Sequence, residues 1–171
     1  LPLVQRVVTV SGDAVTRPGN YLVQIGTRIG FVLEQAGLIP EKLSKLVLGG
    51  PMTGFATGNL DIPVTKGTSG ILAFSEAFAE KANQDPCLRC GKCLTVCPMG
   101  LSPTQLDQAA IAKRVDLLMQ LRVRDCIECG SCAYNCPAQR SLLQSMRVGK
   151  GLVMAYLQAE KAKAEAAAKK E

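Results

Sequence analysis

Apolar positions in the first eighty residues fall in short β-branched runs broken by Gly, Pro and Asn, whereas those of the second half recur at helical spacing. Residues 6 to 10, Arg-Val-Val-Thr-Val, end at Ser11-Gly12-Asp13, which predicts a strand and a turn. Arg17-Pro18-Gly19-Asn20 predicts a second turn, with Tyr21 to Ile25 returning as the other arm of a hairpin. Thr27 is positioned to cap a helix running to about Ala36, with Ile29, Val32 and Leu33 on one face and Gly37 just past its end. Leu46 to Leu48 reads as a short buried strand, and weaker strands are expected at Ile62 to Val64 and Gly70 to Phe74. Two strands, a helix and further strands in one small unit is the order of a β-grasp sheet.

Ser75 to Asp85 is polar and alanine-containing, a helix or linker. Further on, Ser102-Pro103-Thr104-Gln105 has the form of a capping box with proline at N1, and Leu101 and Leu106 can staple it. Leu106, Ala110, Ile111, Leu117, Leu118 and Leu121 continue at helical spacing, with a break expected near Lys113. Another helix starts at Ser141 to Met146, is weakened by Gly149 and Gly151, and resumes from Leu152 to Leu157. Met99, Met119, Met146 and Met154 read as core fillers. Gln158 to Glu171 is nearly all Ala, Lys, Glu and Gln, a solvated or frayed helical tail. The expectation is an α+β protein: a β-grasp domain over 1–80, an α-helical domain over 81–157 and a charged tail over 158–171.

All eight cysteines fall in the helical half, in two copies of one pattern. Cys87, Cys90, Cys93 and Cys97 precede Pro98; Cys126, Cys129, Cys132 and Cys136 precede Pro137. Each copy reads C-x2-C-x2-C-x3-C-P, the ligand run of [4Fe-4S] clusters, in which the fourth cysteine ligates the other cluster. The spacing therefore assigns Cys87, Cys90, Cys93 and Cys136 to one cluster and Cys126, Cys129, Cys132 and Cys97 to a second. Gly91 and Gly130 let each loop turn tightly. Disulfides and two four-thiolate zinc sites are the competing readings. A C-x2-C-x2-C run is poorly placed to pair with itself, and the third close cysteine and the terminal proline argue against both.

Composition narrows the chemistry. The absence of histidine excludes Rieske centres, His-ligated haem and imidazole-based triads. The net charge is +6, and the whole excess lies after residue 86. Two oxidised clusters, each about −2 with its thiolates, bring that sum to about +2, so the excess reads as counter-charge and not as a nucleic-acid face. Arg89 and Lys92, between ligands, would stabilise a reduced cluster. Gly49 to Gly54 has the G-x4-G frame of a phosphate loop, but Phe55 stands where lysine is needed, so a structural turn is expected. There is no apolar run of about 20 residues and no secretory leader. The chain starts at Leu1 inside an apolar segment, which reads as a fragment of something longer.

The combination of Arg6-Val-Val-Thr-Val-Ser-Gly-Asp-Ala-Val, Pro18-Gly-Asn-Tyr, Gly49-Gly-Pro-Met-Thr-Gly, Cys87-Leu-Arg-Cys-Gly-Lys-Cys and Asp125-Cys-Ile-Glu-Cys-Gly-Ser-Cys resembles the C subunit of Rnf/Rsx-type electron transport complexes. The resemblance implies a soluble-ligand-binding (SLBB) β-grasp domain joined to a dicluster ferredoxin portion. It further implies a peripheral subunit on the cytoplasmic side of the cell membrane, in a complex that exchanges electrons between NAD and ferredoxin and pumps ions. Partners would be the other subunits and ferredoxin. The family's flavin- and NADH-binding domain has no counterpart in these residues, which contain no G-x-G-x-x-G, so NADH and FMN contact is expected only through a preceding domain. A cobalamin-reductase family has a similar layout. A ligand-binding or docking module with structural clusters is the alternative of a different class.

Overall fold

The computed structural model describes residues 2–79 and 84–168. The remaining parts of the Ser75–Asp85 segment and of the Gln158–Glu171 tail lie outside the described residues. The chain divides into two compact units, Leu1–Lys81 and Ala82–Glu171.

The first unit contains strands β1 (Gln5–Ser11) and β2 (Gly19–Gln24), helix α1 (Ile29–Gln35), strands β3 (Lys45–Leu48), β4 (Phe55–Thr57) and β5 (Gly70–Phe74), and a short helix α2 (Glu76–Ala79). The sheet order is β2-β1-β5-β3-β4, with β1 parallel to β5 and the other pairings antiparallel. This is the mixed sheet of a β-grasp fold. Alternate residues of the strands, Val8, Val10, Leu46, Leu48, Ile71 and Ala73, form one core with Ile29, Val32 and Leu33 of α1. Each is nearly or fully shielded from solvent.

Two local expectations differ from the structure. Helix α1 begins one residue later than a Thr27 cap would place it: Arg28 is the extended N-cap residue, with no side-chain cap. The Thr27 carbonyl is occupied instead by the Val64 N–H at 2.8 Å. Ile62 to Val64 is not a strand; Pro63 lacks a donor, and the segment pairs as an isolated bridge to Arg28, with Ile29 N–H donating to the Ile62 carbonyl at 2.9 Å and Gly26 N–H to that of Val64 at 2.8 Å. The third strand is antiparallel instead to Phe55–Thr57, which sequence reading passed over. The Gly49–Gly54 loop is a self-closed turn. Gly54 N–H donates to the Gly50 carbonyl at 2.7 Å, and a Cβ on Gly54 would stand 2.6 Å from that same oxygen.

The second unit is helical: α3 (Lys92–Thr95), α4 (Pro103–Ile111), α5 (Val115–Gln120), α6 (Ser131–Tyr134) and α7 (Leu142–Ala168), with a 3-10 turn at Val123–Asp125. Ser102 is the N-cap of α4 and Pro103 its first residue, although the serine hydroxyl makes no cap hydrogen bond. Leu101 and Leu106 are buried in the same core as Leu118, Val123, Met146 and Val153. Lys113, at φ 53°, breaks the run between α4 and α5. No helix among the described residues is long and apolar enough to cross a membrane.

Of the four methionines expected in the core, only Met146 is buried; Met99, Met119 and Met154 are 41%, 43% and 44% exposed. The two glycines also do not interrupt α7, which is continuous over 27 residues. Packing explains why at Gly149, where a Cβ would lie 3.0 Å from Leu118 Cδ2 and 3.2 Å from Val123 Cγ2, both on fully buried side chains. Gly151 faces open space. Gly151→Ala is therefore expected to stabilise the unit by about 0.5–1 kcal/mol, the ordinary helix-interior difference. Gly149→Val is expected to destabilise it by about 1–3 kcal/mol through overpacking. Urea midpoints of the two variants moving in the same direction would contradict this packing.

Candidate metal centre

The two cysteine runs fold into loops of the same backbone. Arg89 and Glu128, two residues after the first cysteine of each run, both adopt the left-handed region, at φ 54° and 56°. Gly91 and Gly130 follow at φ 77° and 80°, each as the N-cap of a one-turn helix, α3 and α6. Gly100 and Gln139, three residues after the fourth cysteine, are left-handed again at φ 59° and 49°. Arg89, Glu128 and Gln139 hold this conformation without glycine's freedom, at roughly 1–2 kcal/mol each. The repeat is thus one of conformation as well as of spacing.

The eight thiols are free. They line two cavities. One, with about 330 Å³ of empty space including its mouth, is walled by Cys87, Cys90, Cys93 and Cys136. The other, with about 380 Å³, is walled by Cys126, Cys129, Cys132 and Cys97. Each cavity thus draws three cysteines from one run and the fourth from the other.

The rest of the lining is mainly apolar. Leu88 and Leu142 border the first cavity, and Ile127, Leu101 and Met146 the second. Helix starts separate the two: Pro103 and Leu143 face one cavity, Thr104 and Leu142 the other. Among the described residues, no three cysteine or carboxylate side chains converge tightly enough to hold a single ion. Four thiol sulfurs around one cavity are the soft donor set that an iron-sulfur cluster takes.

The thiols' acidities call for a positive centre among them. Burial pushes the Cys132 thiol up to about 11, and the neighbouring Cys126 and Cys129 add to it. Burial likewise raises Cys93, with Cys136, Cys87 and Cys90 adding like-charge repulsion. Four thiolates in such a pocket oppose one another unless positive charge sits between them, and an iron-sulfur core supplies it. A few contacts prepare sulfur for a negative role: Leu101 N–H donates to Cys97 Sγ and Glu128 N–H to Cys126 Sγ, both at 3.4 Å. A hydrogen bond with Ser131 holds the Cys129 thiol below its usual range.

Two charged clamps hold the loops against the helices, and sequence reading missed both. Asp107 on α4 is the buried charged residue of the described chain. Its Oδ2 accepts from Arg140 Nε at 3.0 Å and Nη2 at 2.7 Å, and its Oδ1 from Ser145 Oγ at 2.6 Å. Glu128 accepts from Arg147 Nε at 3.0 Å and Lys150 Nζ at 2.8 Å, tying the second cysteine loop to α7. These cations hold the Glu128 carboxyl below its usual range, the Lys150 bond being the larger cause. The available signal for the first clamp was an acid at position 107, on the apolar stripe between Leu106 and Ala110.

Comparison with known proteins agrees with this architecture. The SLBB domain family matches residues 7–56, and the 4Fe-4S dicluster domain family matches residues 79–137. The C subunit of the proton-translocating ferredoxin:NAD(+) oxidoreductase complex of Clostridium ljungdahlii is 43% identical over 167 residues, which is 95% of this chain and 36% of that protein. The chain belongs to this C-subunit family. Other members are the C subunit of the Na(+)-translocating ferredoxin:NAD(+) oxidoreductase complex of Acetobacterium woodii, 41% identical over 91% of this chain and 35% of that protein, and the C subunit of the ion-translocating oxidoreductase complex of Rhodobacter capsulatus, 41% identical over 88% and 29%. The chain spans about a third of the length of these relatives. The SLBB match ends before β5, the strand that joins the β1 and β3 halves of the sheet. The dicluster match takes in all eight cysteines, so iron-sulfur binding belongs to this segment of the family's proteins.

Proposed function

We propose that this chain is the electron-relay segment of an Rnf-type C subunit, holding two [4Fe-4S] clusters with exchanged fourth ligands. Cys87, Cys90, Cys93 and Cys136 ligate one, and Cys126, Cys129, Cys132 and Cys97 the other. The observation that carries this reading is the mixed lining of the two cavities, three thiols from one loop and one from the other.

When bound, each cluster supplies a one-electron couple. The chain's own residues fix where the couples stand and how dry they are. The exchanged cysteines hold each loop against the other. Leu88 and Ile127, 65% and 60% exposed, lie at the outer edge of their cavities, while Leu142 and Met146 close them from inside. Such a relay carries single electrons between an NADH and flavin site outside these residues and ferredoxin or a membrane-bound partner. It works at the cytoplasmic face of an ion-translocating complex.

The test is metal analysis of anaerobically purified protein. About eight iron and eight acid-labile sulfide per chain are expected, with a spin-half EPR signal appearing on dithionite reduction. Zinc with no sulfide would overturn the reading. A full iron content that stays redox-silent would leave a docking module with structural clusters.

A further inference from the structure

The two cavities share loop backbone and ligand number, but their walls carry different charge. The cavity of Cys126, Cys129, Cys132 and Cys97 has no charged side chain in its lining. The cavity of Cys87, Cys90, Cys93 and Cys136 has one, Arg140. This guanidinium is no loose surface group. It is one-fifth exposed and gripped through two nitrogens by Asp107, itself 6% exposed and fixed from its other side by Ser145. Asp107 does not reach the cavity lining, so Arg140 is the member of the pair that borders the four thiols, and the charges of Cys87 and Cys136 act on it.

Resting on the relay reading, we propose that Arg140 is the residue that sets the reduction potential of the cluster held by Cys87, Cys90, Cys93 and Cys136, with Asp107 as its positioning residue. Reduction adds one negative charge to a cluster. A fixed cation at the wall of a mainly apolar cavity favours that state, and no charged side chain lines the second cavity. The two N–H donors on Cys97 and Cys126 favour reduction of the second cluster, but at 3.4 Å they are long contacts of neutral dipoles, whose field fades faster than that of a full charge. The clamp has a second consequence. Asp107 neutralises part of the Arg140 field, so the pair is a graded device whose two members act with opposite sign.

The experiment is an anaerobic redox titration of the loaded protein, following each cluster by EPR, in wild type, Arg140→Gln, Arg140→Lys and Asp107→Asn. In Arg140→Gln one of the two waves is expected to move to lower potential. At its original midpoint the ratio of reduced to oxidised cluster should fall about tenfold, which for a one-electron couple is about 59 mV. The other wave stays in place, and the wave that moves is the one abolished by Cys136→Ser. Arg140→Lys retains the charge and should restore most of the midpoint. Asp107→Asn keeps the shape and removes the counter-charge, so it should move the same wave upwards. If Arg140→Gln does not load clusters, the Asp107→Asn titration decides alone. With iron at about eight per chain, waves that stay put or move together in Arg140→Gln or Asp107→Asn would overturn the proposal and leave the relay intact. Zinc in place of iron in wild type would remove the relay reading, and this inference with it.

Discussion

Cys136→Ser is expected to strip or degrade the cluster of the other loop, not that of its own run. In an ordinary four-cysteine site each run would serve one centre, and loss of Cys136 would damage the centre of Cys126, Cys129 and Cys132. Here Cys136 lines the cavity of Cys87, Cys90 and Cys93, and Cys97 lines the cavity of the second run. A serine oxygen is a poorer iron ligand than a thiolate, because iron-sulfur cores select soft donors. Cys136→Ser should therefore fall from about eight iron per chain to between about four and seven, and the surviving EPR signal should be that of the centre at Cys126. Cys97→Ser should give the mirror-image result. To assign the centres, each variant is combined with Cys90→Ser, which lies in one run only. Adding Cys90→Ser to Cys136→Ser should remove little further iron, whereas adding it to Cys97→Ser should remove nearly all. The opposite pattern would mean that each run closes on its own centre.

The largest expected effect on stability is at Gly12, where β1 turns away from the sheet. Its φ is 120°, and a Cβ there would stand 1.8 Å from the carbonyl oxygen of Ala73 in β5, the central strand. That carbonyl also accepts the Ala14 N–H at 3.2 Å, and the adjoining Asp13 carboxylate accepts the Ser75 N–H at 2.8 Å. An alanine can be admitted only by moving β5 or unwinding the turn, and both break the junction of β1 with β5. Strained backbone alone costs about 1–3 kcal/mol, and the clash with backbone adds to it. Against a total of about 5–15 kcal/mol for a domain, Gly12→Ala is expected to lose at least about 3 kcal/mol. Gly26 is the control. Its φ is 97° with nothing within 4 Å of a Cβ, so Gly26→Ala meets the strain without the clash. Thermal unfolding should show Gly12→Ala well below Gly26→Ala, and equal midpoints would refute the clash.

What could be read from the sequence follows from how local each signal is. The hairpin of β1 and β2, α1, β3 and β5 are each announced by β-branched runs and by turn residues at their ends. The helix start at Ser102-Pro103 and the break at Lys113 are equally local. The ligand runs are the extreme case, since spacing along the chain dictates what three thiols can reach. Phe55–Thr57 was not legible, because a three-residue strand with two exposed residues carries no pattern and forms only by pairing with β3. In the sequence Gly149 reads as a weak point, whereas in the structure it is a contact, a distinction that depends on Leu118 and Val123 from elsewhere in the chain. Asp107 and Arg140 are 33 residues apart, as the Glu128 clamp spans 19 and 22, and no local rule pairs them.

The proposed exchange of fourth ligands also constrains how such a protein is made. In a chain still leaving the ribosome, Cys87, Cys90 and Cys93 emerge long before Cys136, so the first cavity cannot close until the second loop is complete. The second cavity in turn waits for its three later thiols although Cys97 is already present. Neither centre can be finished on a nascent half, and the early thiols must be kept reduced in the meantime. Cluster delivery is thereby tied to a finished domain, and a chain truncated between the two loops offers the assembly machinery no complete acceptor.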